Sequence, residues 1–110
     1  MPETLARRSI HDALGDRELE VLAAWGVELP ARARAHRLCP FPDHDDRHPS
    51  WRWDFRKRRF YCTCSSGSIV DVVARLEGVD GGEAVRRLRR WLGGDAVAAP
   101  APKPAPPVPD

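Results

Sequence analysis

The three cysteines of this chain fall in two short stretches, Cys39-Pro-Phe-Pro-Asp-His44 and Cys62-Thr-Cys64. Thiolate and imidazole are the donors that zinc gathers into a tetrahedron, and they usually arrive as two close pairs on two turns. Cys39 can pair with a histidine. His44 follows it after four residues, His36 precedes it by two, and His48 lies further along the same loop. Cys62 and Cys64, one residue apart, form the second pair. Twenty-two residues separate Cys39 from Cys62, enough for one hairpin. This is the spacing of a zinc ribbon, in which two knuckles flank a small sheet. Three thiolates and a neutral imidazole would leave such a site near −1 and closed, so its binding energy is largely folding energy. The plainer alternative makes the cysteines small buried hydrophobes. Thr63 and the Ser65-Ser66-Gly67 turn are a poor apolar setting for that. A thiol-redox role for Cys62 and Cys64 lacks a surrounding βαβ pattern.

The elements that must position these residues can be read around them. "ETLARRSIHDAL" carries Leu5, Ile10 and Leu14 before Gly15 and reads as a short helix. Asp16 is the expected N-cap of a second helix, "RELEVLAAWG", with Leu19, Leu22 and Ala23 on one face and Gly26 as its stop. Pro30 breaks the chain, and an extended segment enters Cys39. "SWRWDF" alternates, with Trp51, Trp53 and Phe55 on one side and Arg52 and Asp54 on the other, as a half-buried strand does. Arg56 to Arg59 are the expected turn, and "FYCTC" returns. Ser68 with Asp71 resembles a capping box before "IVDVVARLE", which Gly78 ends. Asp80 with Glu83 repeats the device before a last helix, with Ala84, Val85, Leu88, Trp91 and Leu92 as its apolar stripe. The fold class expected is α+β: a small zinc ribbon flanked by N-terminal and C-terminal helices.

The strings "LCPF", "HDDRHPSW" and "FYCTC", the helix after them and "LEGVDGGEAVRRL" together resemble the zinc-binding domain of bacterial replicative DNA primases over about residues 36–92. That domain opens with Cys-Pro-Phe-His, runs to Pro-Ser-Phe, and returns with an aromatic, Cys-x-x-Cys, a glycine and a helix. This chain departs from the pattern twice. Pro42 and Asp43 are inserted before His44, and the second pair, Cys62-Thr-Cys64, is one residue shorter, which costs the knuckle some of its backbone N–H···S bonds. The resemblance selects His44 over His36 and His48 and implies structural Zn²⁺ held by Cys39, His44, Cys62 and Cys64. It also implies that Asp43, Asp45 and Asp46 are not a Mg²⁺ site, because the family's catalytic carboxylates belong to a separate polymerase domain. The chain is therefore expected to be no enzyme by itself. It would be a free-standing primase-type zinc module or a fragment of something longer, supporting primer initiation or replication in trans.

Composition fits that expectation. The 110 residues amount to one domain, expected as an N-terminal helical segment (1–30), a zinc-ribbon domain (31–92) and a disordered Pro/Ala-rich tail (93–110). About 90 foldable residues make a core small enough to need a metal staple. No apolar run suits a membrane span or a signal sequence, so the expected location is cytoplasmic, where thiols stay reduced. Residues 1–30 carry three arginines against six acids, whereas residues 31–92 carry fourteen Lys/Arg against eight acids. The basic excess sits with the cysteines and suits a nucleic-acid partner. Single-stranded DNA is held by stacking aromatics interleaved with cations. The expected contact residues are Arg52, Arg56, Lys57, Arg58, Arg59 and Tyr61, with at least two of Trp51, Trp53 and Phe55 spent on the core. The alternative is a zinc-ribbon adaptor that docks a primase, polymerase or helicase protein through its N-terminal helices.

Overall fold

The computed structural model describes residues 3–29, 36–42, 49–63 and 65–94. Four helices and three short strands follow the order α1 (Glu3–Leu14), α2 (Glu18–Ala24), β1 (Arg52–Asp54), β2 (Arg59–Tyr61), β3 (Ser66–Gly67), α3 (Ile69–Glu77) and α4 (Gly81–Leu92). The sheet is antiparallel, with β2 in the middle. One core runs through every layer. It takes Ile10 and Leu14 from α1, Val21 and Leu22 from α2, Trp51, Trp53 and Phe60 from the sheet, Ile69, Val72, Val73 and Leu76 from α3, and Ala84, Val85 and Leu88 from α4. The fold is thus α+β, with α4 packed on both α1 and α3.

The helix signals act as their chemistry requires, with one exception. Asp71 Oδ2 accepts the Ser68 N–H at 2.9 Å, which is the carboxylate half of the capping box. Gly78 ends α3 in the left-handed region at φ +66°, and Val79 N–H reaches back to the Ala74 carbonyl. Asp80 caps α4 by accepting the Glu83 N–H at 2.8 Å. The exception is α2. Arg17, not Asp16, occupies its N-cap and makes no side-chain cap bond. Its inward face is Glu18, Val21, Leu22 and Trp25, while Leu19 and Ala23 point outward. Only Leu22 of the expected face is buried, because Trp25 and Glu18 take the inward positions one turn to either side. Gly26 does stop the helix, at φ +81°.

The hairpin alternates as read, but its turn begins one residue earlier. Trp51 and Trp53 are buried, whereas Phe55 is 61% exposed and lies in the turn. Asp54 fixes that turn: its Oδ1 accepts the Arg56 and Lys57 N–H groups, both at 2.9 Å, and its carbonyl accepts the Arg58 N–H. Arg58 takes φ +57°, and Arg59 already pairs with Asp54 in the ladder. β3 is an addition that no alternation announced. Its two residues are joined to β2 through the pairs Phe60–Gly67 and Tyr61–Ser66.

Candidate metal centre and basic sheet face

The two loops that carry the cysteines leave the sheet at one end. Arg37 pairs with Trp51 as an isolated antiparallel bridge, closing the base of the first loop two residues before Cys39. In the next rung Arg52 pairs with Tyr61, so Cys62 starts the second loop level with Trp51. Side chains agree with this register. Ser50 Oγ lies 3.4 Å from Cys62 Sγ. The second loop is tight, with Cys62 N–H donating to the Ser65 carbonyl at 2.9 Å. Cys39 is fully buried and belongs to the core cluster, against which Cys62 packs.

Two arginines flank this end. Arg37 is buried, 1% exposed, and donates to the carbonyls of Leu38 and Glu28 at 2.8 and 2.7 Å. Desolvation pushes its pKa down, and the charges of Glu28 and Cys39 oppose that shift. The Cys39 sulfur thus lies within electrostatic reach of the buried Arg37 guanidinium. From α3, Arg75 hydrogen-bonds Ser65 Oγ in the second loop and lies over the Phe41 ring of the first, 4.1 Å from its centroid. One side chain thus ties both loops to the helix behind them.

His44 and Cys64 lie outside the described residues, as do His48, Asp43, Asp45 and Asp46. Among the described residues no three Cys, His, Asp or Glu side chains form a metal cage. The alternative donor His36 is described and exposed. Of the four expected ligands, the two described ones, Cys39 and Cys62, are thiols, a donor type that zinc takes.

The expected contact residues divide between two environments. Arg52, Asp54, Arg59 and Tyr61 share the sheet face opposite Trp53 and Phe60. The Arg52 guanidinium carbon sits 4.8 Å from the Tyr61 ring centroid, and Lys57 Nζ 5.8 Å from it. Arg56, Lys57 and Arg59 are exposed. Arg58 stands apart from the other residues of the expected DNA face. It donates to Glu18 Oε1 at 2.7 Å and to the carbonyls of His11 and Gly15 at 2.9 and 2.6 Å. Its planar fork is committed to the N-terminal helices, which it ties to the hairpin. No local pattern announces this, because Glu18 lies forty residues away. The arginines of α4 are also largely engaged: Arg86, Arg87 and Arg90 pair with Glu83, Arg87 also pairs with Glu77, and Arg89 bonds Ser9.

Phe55 was expected beside the two tryptophans and instead stands out between Trp53 and the basic turn. With Leu19, Trp53 and Arg58 it lines a cleft of about 400 Å³. Among the described residues no helix is long and apolar enough to cross a membrane. Comparison with protein-family models, with curated proteins and with solved structures finds no match to this chain.

Proposed function

We propose that this chain is a primase-type zinc-ribbon module that binds single-stranded DNA and supports primer initiation or replication by a catalytic partner. The observation that carries the reading is the division of the sheet. One face packs Trp53 and Phe60 into the core, and the other offers Arg52, Arg59 and Tyr61 to solvent beside Arg56 and Lys57. Cations around an aromatic ring are the means by which a strand is held without strict sequence choice. The loops at the sheet end would supply Cys39, His44, Cys62 and Cys64 to Zn²⁺, whose contribution is to hold the two loops together. Zinc bound this way is closed and structural, so the 110 residues are expected to make no primer on their own.

The test is fluorescence anisotropy with a labelled single strand at low and moderate salt. Binding should weaken steeply with salt, as four or so phosphate contacts require. Replacing Arg52, Arg56, Lys57 and Arg59 together by Ala should abolish binding and leave zinc content unchanged. Arg58 is omitted from the set because its loss would loosen the fold. Equal binding by wild type and variant would refute the assigned face. Exposed Phe55 and Leu19 beside the cleft favour a second reading, a docking adaptor for a replication or mobile-element partner. No binding of DNA at low salt by the zinc-loaded chain would select it.

A further inference from the structure

We propose that the ring of Phe55, with the cleft it shares with Leu19 and Trp53, is a stacking site for one base of the single strand whose phosphates the hairpin turn holds. This rests on the DNA reading above. Among the described residues Phe55 is the one exposed aromatic side chain, at 61%. Trp51, Trp53 and Phe60 are spent on the core, and Tyr61 is half-buried. A nucleobase offers a flat apolar face of its own, and stacking on an aromatic ring is how single strands are held whatever their sequence. The cleft beside the ring, about 400 Å³, has Leu19 and the edge of the core at Trp53 as its apolar walls.

Charge decides that the occupant is a nucleotide, and how it lies. Phe55 is followed directly by Arg56 and Lys57, both exposed, whose N–H groups Asp54 Oδ1 fixes at 2.9 Å. The wall of the cleft contributed by the helices carries Asp16, which is exposed, and Glu18, which is paired with Arg58. A phosphate is attracted to the turn and repelled by Asp16. The backbone of a strand therefore crosses the turn, and its uncharged base is the part that enters the cleft. Tyr61 pairs with Arg52, so Phe55 lies three residues further along the hairpin, about 10 Å at 3.3 Å per residue. Tyr61 stands on the solvent face of the sheet and Phe55 beside Trp53. A strand that meets both rings passes over the cationic tip between them.

The experiment measures, by anisotropy at several salt concentrations, the binding of a labelled oligodeoxynucleotide to the full chain and to Phe55→Ala, Phe55→Leu and Phe55→Trp. Alanine and leucine should each weaken binding about 5- to 150-fold, the loss of one stacked base, and tryptophan should keep it. The salt slope should stay that of wild type in all three, because no phosphate contact is lost. Against an oligomer of the same length made of abasic sites, wild type and Phe55→Ala should bind alike. The side chain is exposed, so the urea midpoints should not move. Wild-type affinity in Phe55→Ala overturns the proposal and leaves the basic face standing. Wild-type affinity in Phe55→Leu does the same, since leucine supplies apolar area without a plane. A concentration-dependent dimer that Phe55→Ala abolishes gives the cleft to a second copy of the chain and overturns it too. No binding by wild type at low salt overturns this proposal and the DNA reading together.

Discussion

Arg58 shows how one side chain changes the meaning of a sequence. In the run Arg56-Lys57-Arg58-Arg59 it looks interchangeable with its neighbours, yet it alone is turned by φ +57° toward the N-terminal helices. Its partner Glu18 is 5% exposed, so removing Arg58 strips a buried carboxylate of its short ion pair and leaves only His11 Nδ1 beside it, at 3.6 Å. Breaking a buried pair costs about 3–5 kcal/mol. Arg58 itself is partly solvated, so about 2–3 kcal/mol is expected for Arg58→Ala, read as a shift of the urea midpoint. Arg56→Ala should be nearly silent in the same assay. Gly67 is a second such position. A Cβ there would lie 2.6 Å from Asp71 Oδ2 and 2.8 Å from Asp71 Cβ, and the latter sits on the helix backbone and cannot swing away. Gly67→Ala should cost about 1–3 kcal/mol by overcrowding. It should also displace the Asp71 carboxylate from Ser68 N–H and from Arg7, 2.9 Å away.

At the scale of the element, the hairpin turn is an acid-sensitive device. The Asp54 carboxyl is held below the ordinary aspartate range, chiefly by the Lys57 N–H, with the Arg56 N–H and nearby cations adding to it. A group whose folded pKa is depressed contributes stability above its unfolded value, about 3.9, and loses it as pH falls through the lower folded value. Wild type should therefore be more stable than Asp54→Asn near pH 6, and the difference should shrink below about pH 4. Urea melts of the pair at matched pH measure this, and acid effects on the rest of the chain are common to both. A gap that stays constant to pH 3 would mean that the turn does not depend on ionised Asp54. Helix α3 is the other decisive element. Its Ile69, Val72, Val73 and Leu76 anchor it in the core, while Arg75 reaches out to both loops. Rigid packing on one face thus holds loop geometry on the other.

For the whole molecule, the core of α1, α3 and α4 is continuous with the sheet, and among the described residues Arg37, Ser50 and Arg75 tie the loop end to it. If the two loops hold zinc as proposed, removing it with a chelator should melt the sheet end while much helix remains. Far-UV circular dichroism should then change less than the tryptophan fluorescence of Trp51 and Trp53. Residues 95–110 lie outside the described residues. Their composition offers no apolar stripe to bury, so deleting them should leave the melting temperature unchanged within a degree or two. A large loss would show that they dock.

Local signals by themselves determined most of the elements. Capping residues, left-handed glycines and period-two alternation act over three or four residues, so Ser68, Asp71, Gly78, Asp80 and the two tryptophans could be read directly. The same locality explains why two cysteine-bearing turns about one hairpin apart could be expected at one end of a sheet. Tertiary structure decided what depends on distant partners. It decided which face of α2 is inward, since apolar residues occur on both faces and only packing against Trp25's neighbours chooses. It decided that Phe55 is exposed, because a turn begins there. Arg58 became a strut because Glu18 was waiting across the fold, and Ser50 came to face Cys62 because the Arg37–Trp51 rung fixes the register. Pairings between residues far apart in sequence leave no periodic trace in either partner, and only the folded chain brings them together.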